Sequence, residues 1–107
     1  MTGPFPGGRF SKRGIFLTTV HTLASGSSGN AAVLSCGDTH LLIDAGISCR
    51  RITTALNALG LSPELLSAIL ITHTHSDHIS GLRTLLKKTD CPILATPRTC
   101  RELCCRL

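Results

Sequence analysis

Residues 73–78 read His-Thr-His-Ser-Asp-His, and four of these six side chains are of a type that binds metal ions. The hexapeptide directly follows residues 68–71, an apolar run (Ala-Ile-Leu-Ile) of the kind found in buried strands. Side chains alternate between the two faces of an extended segment, so His73 and His75 are expected to point the same way. The spacing therefore predicts that these two imidazoles can share one cation.

The second half of the hexapeptide adds a carboxylate and a third imidazole. If the chain turns into a helix near Ser76, Asp77 and His78 project from the first helical turn toward the same place. Imidazole and carboxylate ligands suit zinc, manganese or iron, and a carboxylate beside three imidazoles can serve two adjacent ions. The alternative is a polar loop with chance histidines, but ligand-type residues clustered at one strand end favour a metal site.

Composition limits the class of protein to which the chain can belong. Its 107 residues suit one domain with a modest core, and the 42% that are hydrophobic predict a folded globular chain. Three Phe and no Tyr or Trp argue against a surface that stacks single-stranded bases. The formal net charge of +5 is compatible with a phosphate-bearing partner, or equally with a fragment whose acidic complement lies elsewhere.

The cysteines and the apolar runs indicate the cellular compartment. Six cysteines are present, but their irregular spacing lacks the paired C-x-x-C units of a zinc module. Residues 9–24 imitate an export signal poorly, because polar residues interrupt the apolar stretch. Reduced thiols in a cytoplasmic protein are therefore expected, and no run approaches the length of a membrane span.

Periodicity and turn residues place the structural elements along the chain. Residues 1–14, rich in Gly and Pro, are predicted to be a flexible leader, and residues 15–107 one partial domain. The predicted strands are 15–23, 31–36, 40–44, 68–72 and 92–95. The predicted helices are 48–59, 77–88 and 97–107, with a short turn at 62–64. Strands that first form a meander and then alternate with helices predict an α/β layered arrangement.

These motifs together resemble a known family. The run H-x-H-x-D-H after a strand is the signature of metallo-β-lactamase-fold hydrolases. Residues 22–30 (Thr-Leu-Ala-Ser-Gly-Ser-Ser-Gly-Asn) and 41–46 (Leu-Leu-Ile-Asp-Ala-Gly) resemble the YycJ/WalJ-like branch, cytoplasmic bacterial proteins regarded as nuclease-like hydrolases. The resemblance extends from about Val20 to the C-terminus. It implies the N-terminal half of a metallo-β-lactamase-type αββα sandwich.

The resemblance also implies metal-assisted hydrolysis, with two divalent ions, Zn²⁺ or Mn²⁺, as cofactors of the full-length protein. His73 and His75 would hold the first ion, and Asp77 and His78 the second. Asp77 would also be the general base. Asp44, at the end of a strand, would steady the histidine loop from behind the ligands, although a capping or turn aspartate is the alternative.

The family completes its two-metal site with later residues, namely a further His, a bridging Asp and a final His. This chain ends at Leu107 before any such residues. His21 and His40 lie upstream on predicted strands and are expected to be ordinary strand residues. The sequence is therefore expected to be a fragment, with an apolar sheet face left exposed where a second sheet should pack.

A small-residue loop precedes the first hairpin. It could line the metal cleft and contact substrate, or it could simply be a tight turn between strands. Its residues are Ser25, Gly26, Ser27, Ser28, Gly29 and Asn30.

The branch resemblance implies an exonuclease-like hydrolase of phosphodiester bonds, with nucleic acid as a possible substrate. Two alternatives remain. The 107 residues could form a metal-binding module without activity. The protein could also hydrolyse another ester, a thioester or a lactam, since the whole superfamily shares the hexapeptide.

Overall fold

The computed structural model describes residues 10–11, 14–15, 18–27 and 29–106. Near the N-terminus, strand β1 (Phe10–Ser11) pairs antiparallel with β2 (Gly14–Ile15). The other residues of the predicted leader, 1–9, 12 and 13, lie outside the described residues. The strand predicted at 15–23 is represented by the end of β2 and by a longer strand that begins at Thr18, with residues 16 and 17 outside the described part.

Five further strands form one mixed sheet. They are β3 (Thr18–Ala24), β4 (Ala31–Cys36), β5 (Thr39–Ile43), β6 (Ala68–Leu70) and β7 (Ile93–Leu94), in that spatial order. The first three run antiparallel, and the β4–β5 turn contains Gly37 at φ 59°, a backbone conformation that glycine adopts without strain. Strands β6 and β7 add in parallel, so their C-terminal ends meet at one edge of the sheet.

Helix α1 (Cys49–Ala58) and a 3-10 turn (Pro63–Leu65) connect β5 to β6. The Ser48 side chain caps α1 by accepting a hydrogen bond from the Arg51 N–H at 3.2 Å. Helix α4 (Pro97–Arg106) follows β7. No helix in the described part of the chain is long and apolar enough to cross a membrane.

The single helix predicted at 77–88 is wrong, because two short helices take its place, α2 (Ser76–Ile79) and α3 (Leu82–Leu85). In a continuous helix the Gly81 N–H would donate to the Asp77 carbonyl. Instead, the Gly81 N–H donates to Ala45 O at 2.8 Å, and Asp77 O accepts from the Asn30 N–H at 2.8 Å. Distant loops therefore take over the hydrogen-bonding groups that would have joined the two helices.

One face of the sheet forms the core. Strand pairing aligns Val33, Leu42 and Ile69 across β4, β5 and β6, and all three are fully buried. The helices supply the apolar side chains that cover this row. They are Ile52 and Leu56 from α1, Leu82 and Leu85 from α3, and Leu103 from α4. The result is the predicted α/β layering, with helices packed on one side of a mixed sheet.

The opposite face of the sheet is also apolar, but it is less covered. Register places Leu34 beside Leu41 and Ile43 beside Leu70, and these four side chains are half-buried. At the margins of the same face, Val20 is 63% exposed and Leu94 is 47% exposed. The small Ala68 is buried on this face, but the larger side chains lack the close cover that the helices give to the other face.

Candidate metal centre

The hexapeptide lies where the sequence predicts, between a strand and the start of a helix. Its residues continue from the C-terminal end of β6 and lead into α2, which begins at Ser76. The ring of His73 lies 4.8 Å from that of His78 and 6.1 Å from that of His75, between centroids. Three imidazoles from one short segment thus share one place at the C-terminal edge of the parallel strands.

Asp44 lies directly behind this cluster. It follows β5, is 5% exposed, and has a φ of 65°, a left-handed conformation that Asp tolerates better than most residues. Its Oδ1 accepts the Thr72 N–H at 2.8 Å, and its Oδ2 accepts the Thr72 hydroxyl at 2.7 Å. Oδ2 also lies 2.7 Å from His78 Nδ1. Asp44 therefore ties the start of the hexapeptide to its last histidine.

These contacts determine which nitrogen of His73 and of His78 is available in the neutral ring. A carboxylate only accepts hydrogen bonds, so His78 Nδ1 must carry the proton, which leaves the Nε2 lone pair available for a ligand. Because the Thr72 hydroxyl gives its proton to Asp44, it can only accept from His73 Nδ1, which lies 3.1 Å away. His73 then also keeps an unprotonated Nε2.

Asn30 holds the other side of α2. Its backbone N–H donates to Asp77 O at 2.8 Å, and its side-chain Nδ2 donates to the same carbonyl at 3.1 Å. Nδ2 also lies 3.4 Å from Asp77 Oδ2 and 3.5 Å from His78 Nε2. Asn30 Nδ2 further donates to Gly26 O at 2.8 Å, which closes the small-residue loop around it. The loop therefore contacts the cluster through its last residue.

Close backbone packing makes these contacts possible. A Cβ at Gly46 would lie 1.8 Å from Asp77 O, and a Cβ at Gly81 would lie 2.0 Å from Ile47 O. Such separations are far below van der Waals contact, so both positions require glycine. The loop at 44–47 and the start of α2 can approach each other only because neither glycine carries a side chain.

The donor set fits divalent ions in chemical type. In residues 18–27 and 29–106, no three His, Cys, Asp or Glu side chains are grouped closely enough to hold an ion as they stand. However, His78 Nε2 and Asp77 Oδ2 are 3.7 Å apart, close to the separation of about 3.4 Å expected for two ligands of one tetrahedral ion with bonds near 2.1 Å. Imidazole and carboxylate donors side by side are the ligands that zinc and manganese accept.

The other histidines lie elsewhere. His21 is exposed on β3, and His40 on β5 has its Nδ1 2.7 Å from the Ser35 hydroxyl. In the small-residue loop, Ser25, Gly26 and Ser27 are exposed, whereas Ser28 lies outside the described residues. The structure thus places His73, Asp77 and His78 near one another with Asp44 behind them, whereas the ring of His75 lies farther out, 6.1 Å from that of His73.

Sequence reasoning missed Thr72, and it assigned Asn30 only to a possible substrate loop. Thr72 bridges Asp44 and His73, whereas Asn30 donates a hydrogen bond to the backbone carbonyl of Asp77. A signal was present for the break in the predicted helix, since Gly81 interrupts an otherwise helical pattern. No local signal identified the partners, because they lie far away in the sequence.

Comparison with known proteins gives the same family as the motifs. Residues 24–103 match the Metallo-beta-lactamase superfamily. Exodeoxyribonuclease WalJ of Streptococcus pneumoniae serotype 2 (strain D39 / NCTC 7466) is 48% identical over 77 residues, which make up 72% of this chain and 29% of WalJ. Exodeoxyribonuclease YycJ of Bacillus anthracis is 42% identical over 77 residues, with the same coverage of both chains. The chain thus spans less than a third of the length of these relatives.

The fold agrees with a solved structure. The Rm3 metallo-beta-lactamase superposes with a TM-score of 0.64 at 29% identity, over 75% of this chain and 30% of that one. The family match covers most of the chain and includes the strand, the hexapeptide and the helices around it. The chain therefore belongs to the metallo-beta-lactamase superfamily, within which it is similar to WalJ and YycJ.

Proposed function

We propose that this chain is part of a metal-dependent hydrolase that cleaves phosphodiester bonds in DNA, with exonuclease activity. The two relatives named exodeoxyribonuclease support the substrate class. The observation that carries the proposal is the grouping of His73, His78 and Asp77 with Asp44 hydrogen-bonded behind them. That arrangement presents ligand nitrogens and a carboxylate at an exposed edge of the sheet, where a polymer can reach them.

Each of the four candidate ligands in the hexapeptide then has a role. His73 and His75 would hold one divalent ion, and Asp77 and His78 a second, with Zn²⁺ or Mn²⁺ as the ions. Divalent ions bound there supply an activated water and offset the negative charge that develops on the phosphoryl group. Asp44 fixes the ring of His78 through Nδ1 and, by way of the Thr72 hydroxyl, the ring of His73.

Asp77 is the proposed general base. Its carboxylate would accept the proton of the attacking water. Its Oδ2 is oriented by Asn30 Nδ2 at 3.4 Å, and its backbone carbonyl is fixed by two further hydrogen bonds from Asn30. The base is therefore positioned by a neighbour that does not itself exchange protons.

Two alternatives follow from specific observations. The chain spans less than a third of its nuclease-named relatives, so these 107 residues could bind metal without turning over substrate. The likeness to the Rm3 metallo-beta-lactamase favours a lactam as a second candidate substrate. Because the superfamily hosts several hydrolytic activities, another ester or a thioester is a further candidate. The cytoplasm is the proposed location, supported by free thiols at Cys49, Cys91 and Cys100.

The test compares three substrates in the presence of Mn²⁺ or Zn²⁺: end-labelled linear DNA, bis(p-nitrophenyl)phosphate and a chromogenic cephalosporin. We expect DNA to be shortened from its ends, and Asp77→Asn to lower the rate by about 100-fold or more. Asp38→Asn, in the exposed β4–β5 turn, is the control with the same chemical change and should retain full activity.

Each other outcome identifies one alternative. Metal bound in equilibrium dialysis without turnover of any substrate would identify an inactive binding module. Cleavage of the cephalosporin with intact DNA would identify a lactamase and contradict the proposal.

A further inference from the structure

A cleft of about 390 Å³ lies beside the histidine cluster. One wall is the hexapeptide, including His73 and His75, and the other wall is α4. The cleft opens at the same sheet edge as the imidazoles, because β6 and β7 are parallel and their C-terminal ends lead into these two walls. A substrate reaching His73 and His75 can therefore extend along α4.

The α4 wall carries a regular row of charge. Arg98, Glu102 and Arg106 line the cleft at positions i, i+4 and i+8, so they lie on one face of the helix. Eight residues of helix advance about 12 Å, so the two arginines leave the helix backbone at points about 12 Å apart along its axis. The row suits two phosphates of one strand better than a single small anion.

Hydrogen bonds and an ion pair hold this charged row of α4 in place. Buried Thr74, within the hexapeptide, donates its hydroxyl to Glu102 Oε1 at 2.9 Å, and the second oxygen of Glu102 lies 3.7 Å from Arg98 Nε. At the other end, the Arg106 carbonyl accepts from Arg83 Nη2 at 2.8 Å. These contacts fix the helix against the metal loop, so the cleft is largely formed before any ligand enters.

We propose that this cleft is a strand-binding subsite, in which Arg98 and Arg106 contact backbone phosphates next to the phosphodiester held at the histidine cluster. This inference rests on the proposed function and names the residues that position the substrate. Two guanidinium groups against one carboxylate leave the wall positive, and Arg recognises phosphate oxygens with two hydrogen bonds at once. Arg98 is 84% exposed, so its guanidinium is accessible to a ligand.

The experiment measures DNA binding without hydrolysis, by fluorescence anisotropy of a labelled single-stranded oligonucleotide in EDTA between 50 and 200 mM salt. The test variant is Arg98→Gln with Arg106→Gln, and the matched control is Lys87→Gln with Lys88→Gln. The control pair lies at the other end of the parallel strands, near Ser67 before β6. Both variants remove two positive charges.

We expect the arginine variant to weaken binding by about 10-fold at low salt and to reduce the salt slope by about 1 to 2. The lysine control should change affinity by less than about 2-fold, because its charges are remote from the bound strand. Equal losses in the two variants would overturn the proposal, since binding would then be a property of net charge. An unchanged affinity in the arginine variant would overturn it as well.

The binding result and the hydrolysis result can fail separately. If the arginine variant loses affinity while no DNA is ever degraded, the subsite stands and the proposed hydrolysis falls. If DNA is degraded by the unmodified protein and by the arginine variant with the same KM, the hydrolysis stands and the subsite falls. Circular dichroism of both variants checks that the exposed substitutions leave the fold intact.

Discussion

The two faces of the sheet carry similar residues but have different surroundings. On the helix-covered face, Leu42 is 0% exposed and sits between Val33 and Ile69, which are equally buried. One residue away, Leu41 points to the opposite face and is only half-buried, and Val20 at the margin of that face is 63% exposed. Leu41 and Leu42, neighbours on one strand, therefore have different environments, because different elements pack on the two faces of the sheet.

The difference in burial between the two sheet faces shows which side of the molecule supports the candidate metal centre. The loop after β5, with Ala45 and Ile47, belongs to the covered core and packs directly on α2 and Gly81. In the αββα sandwich predicted from the sequence, the open face is the one that meets a second sheet. The candidate site is thus built on the face that these residues cover by themselves.

The largest expected effect is on the covered face. Leu42→Ala removes a fully buried side chain and leaves a cavity, so we expect the free energy of unfolding to fall by about 2–5 kcal/mol. Leu41→Ala, the same change on the open face, should cost about 1 kcal/mol or less, because less apolar surface is lost from the interior. Urea denaturation followed by circular dichroism measures both. Equal losses would mean that the open face is covered in solution.

The second prediction concerns the close packing between the loop at 44–47 and α2, which holds the candidate ligands. Gly46→Ala would place a methyl group 1.8 Å from Asp77 O, so the loop must move. We expect a loss of about 1–3 kcal/mol in unfolding free energy, accompanied by weaker metal binding. Gly60→Ala is the control, since it has open space around it and should cost only about 1 kcal/mol, from its φ of 79°. If Gly46→Ala left metal binding unchanged, the loop at 44–47 would not position the candidate ligands.

The smallest stability effect is expected on the open face. Val20→Thr replaces an exposed apolar side chain on β3 with a polar one of similar shape. The unfolding free energy should change by less than about 0.5 kcal/mol, because little buried surface is involved. Self-association, measured by size-exclusion chromatography with light scattering, should nevertheless decrease. If the protein were a monodisperse monomer both with and without Val20→Thr, the open face would not cause self-association.

Much of the site was predictable because its chemistry is concentrated in one segment. Local periodicity predicts the strand before His73 and a helix after His75, although the predicted helix at 77–88 begins at Ser76 and is broken in two. The four candidate ligands follow from their residue types. Asp44 was identified through the family resemblance, and its carboxylate lies 2.7 Å from His78 Nδ1. Metal binding by these four side chains, and their assignment to particular ions, remain predictions.

The rest was not predictable from local sequence. Ile79, Leu82, Leu85 and Leu86 have helical spacing, and nothing beside them indicates that Asn30 and Ala45 take the hydrogen bonds of the intervening turn. The cleft has the same origin, since Thr74 and Glu102 are separated by 28 residues. Periodicity reports which face of an element is buried, but it does not report which distant loop replaces a hydrogen bond within a helix.

The backbone bonds that hold α2 have a consequence for the order of folding. The Asn30 N–H reaches Asp77 O across 47 residues of sequence, and the Ala45 N–H reaches His78 O from a separate loop. Closing such long loops costs chain entropy that is recovered only when the sheet between them has formed. We therefore expect the histidine cluster to form late in folding, so that the candidate ligands come together only on a chain that has already completed its strands.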